Sequence, residues 1–397
     1  MNKKAIAILG AIFILIVGTL GFFIYAKVSS KKTATVVTPG FGQTLATSST
    51  SPASNGANPP ASGNGGLSST TPIGQGSPAV VKISDDQVVS PVLFFSGQGI
   101  TYFNNQGNLF QASFQDNNGQ IQLANKKQLS IPTKPNIISI LWPAKGKDFI
   151  AQYTGVNGKP AWSYFNGTTQ IYTDLPPQVQ SLDWLPSGAQ IIYVWLDNGK
   201  STLNISDPDT KNWTYLADVW ENDDEIHISP DGTQFLYFEN NSSANTNSIN
   251  LATADGKIWK GLVKSGQNLG VLWSPDGQKF LFGKKDLNTQ AYQLWIYNLT
   301  SGEVKNLGLF ASPSKAVWAK DSNIIYAAVP NSTSGGGSSL TTDSFFRMDT
   351  NTLDKKQYNT GAASSIDGRD LFLSTDGNKL FFKNAQDGGL YYLDLSK

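Results

Sequence analysis

Cysteine is absent from this chain of 397 residues, which excludes disulfide staples, thiolate metal sites and a cysteine nucleophile together. Histidine occurs once, as His227, so a Ser-His-Asp triad or a multi-histidine metal site has little to draw on. Charge is scarce as well: Asp, Glu, Lys and Arg make up 15% of the chain, against roughly 25% in an average soluble protein. The 30 basic and 29 acidic residues are scattered and leave a net charge of +1, so the chain offers no electrostatic footprint for a nucleic-acid backbone. No nucleic-acid partner is expected. What is plentiful is glycine, 38 residues of it, with asparagine, serine and threonine, a composition suited to short strands joined by many turns. The expected class is all-β.

The long apolar run of the chain comes first. After a short tail, residues 1–4, the segment from Ala5 to Ala26 carries no charge. Helical residues rise about 1.5 Å each, so this run is long enough to cross a hydrocarbon core of roughly 30 Å. It exceeds the apolar stretch of a cleaved signal peptide, and no small-x-small site ends it, since Ile24 precedes Tyr25 and Ala26. The reading is an uncleaved single-pass transmembrane helix. Lys3 and Lys4 on one side nearly balance Lys27, Lys31 and Lys32 on the other, so orientation rests on the short tail before the helix and the long polar segment after it. Those features place the C-terminal mass outside the cytoplasm.

Residues 27–78 are rich in Ser, Thr, Gly and Pro, and from Thr33 to Ser77 no charge occurs. Such a segment buries too little apolar surface to offset its ordering entropy, so it is expected to be a disordered tether. Its reach as a flexible coil is roughly 35 to 40 Å.

Beyond the tether one phrase recurs: an aromatic or aliphatic residue, Ser-Pro-Asp-Gly, two polar residues, then an apolar run. The clearest copies run from Ile228 to Tyr237 and from Trp273 to Phe282. Looser copies start at Phe95, Trp142, Trp184, Trp318 and Leu373, with the turn glycine or its equivalent at Gly99, Gly146, Gly188, Gly232, Gly277, Ser322 and Gly377. Seven copies at a period of about 45 residues match the four-stranded blades of a seven-bladed β-propeller. The phrase is a hairpin turn, in which Pro fixes φ, Asp accepts local backbone bonds and Gly supplies positive φ. Trp142, Trp184, Trp273 and Trp318 share one repeat position and are expected to pack blade against blade. The last copy stops at its third strand, whereas a spare strand, residues 79–84, precedes the first. It is expected to close the ring over residues 79–397 as the outer strand of the seventh blade.

These copies resemble the WD40-like repeats of TolB-type propellers, whose hallmark is the same Ser-Pro-Asp-Gly phrase before an apolar strand. The resemblance covers roughly residues 79–397. It implies fold far more than function, because propellers of this kind act as scaffolds, ligand binders and accessory domains of peptidases.

No Gly-x-Ser-x-Gly elbow is present to mark an accompanying hydrolase domain. Asp231, Asp276 and Asp376 recur at one repeat position, as structural turn acids should. Individual chemistry is expected on the connections between blades. Trp220, Glu221, Asp223, Asp224 and Glu225 cluster ahead of the fourth repeat, and Asp367, Arg369 and Asp370 occupy the equivalent stretch ahead of the seventh. They are candidate binding residues for a basic peptide, a glycan or a cation, although the spacing is not that of an EF-hand loop. No catalytic residue, resident metal or cofactor is assigned. The expected function is a membrane-anchored, extracytoplasmic scaffold that binds an envelope protein or glycan. The alternative is an envelope hydrolase using a pair of carboxylates on one face.

Overall fold

The computed structural model describes residues 80–94, 97–156, 158–219, 225–241, 246–257, 259–266, 269–285, 291–331, 340–360 and 365–396. The expected transmembrane helix at 5–26 and the tether at 27–78 lie outside them. No helix among the described residues is long and apolar enough to cross a membrane.

The described residues form seven four-stranded antiparallel sheets. In chain order the blades span residues 88–128, 137–174, 179–219, 226–266, 271–306, 316–358 and 368–394, each with its first strand innermost. Side chains pack at every seam between blades, and the inner strands of blades one and seven touch, so the ring is closed around an axis. The fourth strand of blade seven is Val80–Ser84, which runs antiparallel to Leu390–Asp394 with Val80 opposite Leu393. Lys82 secures this closure by bonding to Asp387 at 2.8 Å.

The phrase Ser-Pro-Asp-Gly folds as its chemistry requires. In blade four the Gly232 amide donates to the Ser229 carbonyl at 2.8 Å, Gly232 takes φ +73°, and the Ser229 amide donates across the hairpin to Gln234 at 2.8 Å. A turn followed by a left-handed residue bends the chain with the twist of the strands. Asp231 ties the loop down, accepting from the Ser229 hydroxyl at 2.6 Å and the Thr233 amide at 3.0 Å. The degenerate first copy departs from its sequence alignment. Its left-handed glycine is Gly97 (φ +68°), whose amide donates to the Phe94 carbonyl, while Gly99 already begins the second strand.

Alternation along the second strand of each blade feeds two seams at once. In blade three Ile191 and Tyr193 pack toward blade two, and Ile192 and Val194 toward blade four. The buried apolar side chains accordingly gather into seven clusters, one at each seam. The shared tryptophans add a polar staple. The indole N–H of Trp142 donates to Ser90, of Trp184 to Leu141, of Trp273 to His227 and of Trp318 to Leu272, each a carbonyl of the preceding blade's inner strand. The turns named above lie on one face of the disc, here the lower face. The connections between blades emerge on the upper face.

Candidate functional site

Of the residues singled out ahead of blade four, Trp220, Glu221, Asp223 and Asp224 lie outside the described residues. Glu225 is described. Its carbonyl accepts from the Phe238 amide at 3.0 Å, which fixes it at the head of the inner strand Ile226–Ile228. Two residues on, His227 points to the same side of the strand. Its Nε2 lies 3.5 Å from Glu225 Oε2, a separation for ion pairing but too long for a well-made hydrogen bond. Among the described residues Nε2 has no hydrogen-bond partner, and it is itself buried. The imidazole beside it holds the Glu225 carboxyl below the usual range, against the opposing effect of burial.

The three residues ahead of blade seven part company. Asp367 is wholly buried and used up in structure: its carboxylate accepts from Lys315 Nζ at 2.7 Å, from Arg369 at 3.0 Å and from the Thr341 amide at 3.1 Å. Lys315 also reaches the buried Asp343 at 2.5 Å and Thr341 at 2.9 Å, so the cluster locks blade six to blade seven. Burial alone would raise the Asp367 carboxyl, but Arg369, Lys315 and the Thr341 amide outweigh it and hold the group at about 2.

Asp370 turns the other way. The pairing of the innermost strand slips by one residue between Arg369 and Phe372, and Asp370 stands in that bulge with φ +52°. Bulges re-aim side chains, and Asp is among the few residues that enter the left-handed region with little strain. Its carboxylate is open to water yet crowded by protein, which raises its pKa; Lys383 and Arg369 offset that only in part.

Glu225, His227 and Asp370 converge on one cavity of about 580 Å3, lined by the inner strands of blades four to seven. Phe238, Leu269 and Pro313 supply apolar wall, Tyr292 and Ser312 polar groups, and no lysine or arginine is among the described lining residues. A second cleft of about 740 Å3 opens on the same face between blades two and three, with Trp162, Pro176 and Pro177 beside Gln152, Gln178 and Lys159. Among the described residues no three His, Asp or Glu side chains are grouped to hold a metal ion.

His227 and Asp183 both fall outside the candidate residues that the sequence alone points to. Asp183 belongs to the neighbouring inner strand, accepts from the Ile228 and Trp184 amides at 3.0 and 2.8 Å, and is raised by burial, which the His227 imidazole and those two amides oppose only in part. The signal was in the repeat. The residue before the conserved tryptophan position reads Val92, Leu141, Asp183, His227, Leu272, Val317 and Phe372, so the two polar members of the column stand in adjacent blades.

No family model and no curated protein sequence matches the chain. Solved structures do. An oligogalacturonate lyase from Vibrio parahaemolyticus aligns over 80% of this chain and 92% of its own, at 9% identity and a TM-score of 0.55. The β-propeller domain of Cps50 (Swd1) from Myceliophteria thermophila aligns over 79% and 99%, at 10% identity and 0.54. TolB from Acinetobacter baumannii covers 75% and 78%, at 15% identity and 0.41. The first two likenesses show the fold and nothing finer; the third, at its lower score, adds nothing to them. In fold the chain is a seven-bladed, WD40-like propeller.

Proposed function

We propose that the chain is a membrane-anchored, extracytoplasmic propeller whose upper face binds a protein or glycan of the cell envelope. The observation that carries this reading is the convergence of Glu225, His227 and Asp370, from blades four and seven, on one axial cavity. A described lining with carboxylates and no lysine or arginine favours a cationic side chain or a hydroxyl-rich neutral sugar, and repels a polyanion. The activity named for the oligogalacturonate lyases, directed at an acidic oligosaccharide, therefore has no support in this lining. The apolar run at 5–26 supports the anchor, and the uncharged segment after it supports a tether that carries the ring clear of the bilayer.

One observation favours the hydrolase reading. Glu225 is drawn down and Asp370 pushed up, and carboxylates driven apart in this way suit the roles of base and acid. A single experiment separates the two. The full chain, solubilised in detergent, is used to capture partners from envelope extract, with Glu225→Gln/Asp370→Asn as comparison. Binding lost in the double variant supports the scaffold. Turnover of envelope glycan that the double variant abolishes, with no partner retained, rejects the scaffold in favour of the hydrolase.

A further inference from the structure

The outer strand of each blade begins at the lower rim, where the Ser-Pro-Asp-Gly turns also lie. In five consecutive blades that rim carries an exposed apolar side chain: Ile171 in blade two, Trp213 and Tyr215 in blade three, Trp259 in blade four, Val304 in blade five and Leu353 in blade six, each between 37% and 62% exposed. Scattered exposed hydrophobics need no explanation, but recurrence at one level of the disc makes a belt. Leu353 is the least comfortable member. It takes φ +65° in the turn position that Gly302 fills in blade five, and a bulky side chain seldom enters that region. Its amide makes the same turn bond, to Asp349 at 2.8 Å, as Gly302 makes to Asn298.

We infer that this lower rim docks on a lipid bilayer surface, with the belt seated at the boundary between headgroups and acyl chains. Trp and Tyr favour that boundary because one end of the ring system is apolar and the other polar. The charges on the adjoining turns largely cancel: Lys211 pairs with Asp209 at 2.8 Å, Lys257 with Asp255 at 2.8 Å and Lys305 with Glu303 at 3.2 Å. The surface therefore suits a zwitterionic bilayer and does not need anionic lipid. The described ring also begins at this level, since Val80 opens the closing strand opposite Leu393, at its lower end. The chain that precedes Val80 contains the apolar run at 5–26 and so joins the disc at the rim that bears the belt. A tether of that length holds the ring at high effective concentration near a bilayer, where a weak apolar contact is enough. This inference rests on the anchored reading above, and it points the axial cavity away from the membrane.

The absence of native cysteine makes the test direct. The full chain is reconstituted into phosphatidylcholine vesicles with brominated acyl chains, carrying one fluorescent label at Val304→Cys on the lower rim or at Lys159→Cys on the upper face. Quenching several-fold stronger at Val304→Cys, persisting at high salt and reduced by Trp213→Ser/Trp259→Ser, is the expected result. Equal quenching at the two positions in a chain that floats with the vesicles overturns the docking and leaves the anchor standing. Energy transfer between copies labelled at Val304→Cys, without lipid quenching, overturns it in favour of a second copy as occupant. A chain that does not float with the vesicles overturns the anchored reading, and this proposal with it.

Discussion

The two faces of the disc treat aspartate in opposite ways. On the lower face Asp231, Asp276 and Asp376 hold equivalent places, each accepting from a serine hydroxyl two residues back and from an amide two residues on, and each is held below the usual carboxylate range. Toward the upper face and along the inner strands the described aspartates depart from that pattern. Asp367 and Asp343 are sealed against Lys315, Asp370 is pushed up in the cavity wall, and Asp183 is pushed up beside His227. Repetition marks residues that build the ring, and its interruption marks residues with individual work. The lock between blades six and seven shows that individual work includes structure as well as binding.

The sharpest break in this comparison comes from the lock. Lys315→Ala strands two buried carboxylates, and removing one member of a buried charge cluster costs about 3–5 kcal/mol. Urea unfolding of the detergent-solubilised chain should show that loss. A loss under 1 kcal/mol would mean that water enters the seam. A repeated feature should weigh less: Trp184→Phe keeps a smaller aromatic ring but leaves the Leu141 carbonyl without its indole donor, at about 1–3 kcal/mol, in the same assay.

The finest distinction lies between two matched substitutions, Asp276→Asn and Asp370→Asn. The Asp276 carboxyl is easier to ionise folded than unfolded, so its contribution is present above the ordinary carboxylate pKa and is lost as pH falls through the lowered folded value. Asp276→Asn should cost about 1 kcal/mol at neutral pH and nothing in strong acid. Asp370 has the opposite sign. Its carboxyl is harder to ionise folded, so it destabilises the ring increasingly as pH rises from the ordinary value through the raised one. Asp370→Asn should raise the thermal midpoint at neutral pH, with an advantage that vanishes in acid, since asparagine also tolerates the left-handed backbone there. Two variants that shift the midpoint in the same direction would collapse the distinction between the faces.

The ring was legible in the sequence because its determinants are local. Pro, Asp and Gly act within one turn, and alternation acts within one strand. Even the first copy erred only in choosing Gly99 over Gly97, two glycines that composition cannot separate and one hydrogen bond to Phe94 does. The site was legible only as a neighbourhood. Asp367 and Asp370 stand three residues apart on one connection, and nothing local shows that Lys315 and Thr341 claim the first while a slipped register turns the second toward the cavity. Asp183 and His227 could have been found by reading the repeat down its columns for the polar residue that breaks an apolar one.

The strand that completes blade seven has a consequence in time. Residues 80–84 leave the ribosome first among those of the ring, and their partners, 390–393, nearly last. At ordinary synthesis rates the gap is on the order of tens of seconds. Through that interval the ring stays open with two unpaired edges, and no earlier blade can stand in for the missing partner. Closure therefore certifies that every blade of the ring has been made. A truncated product lacks the strand on which Val80–Ser84 folds and exposes both edges at once, which marks it for aggregation or proteolysis before it can occupy a binding partner.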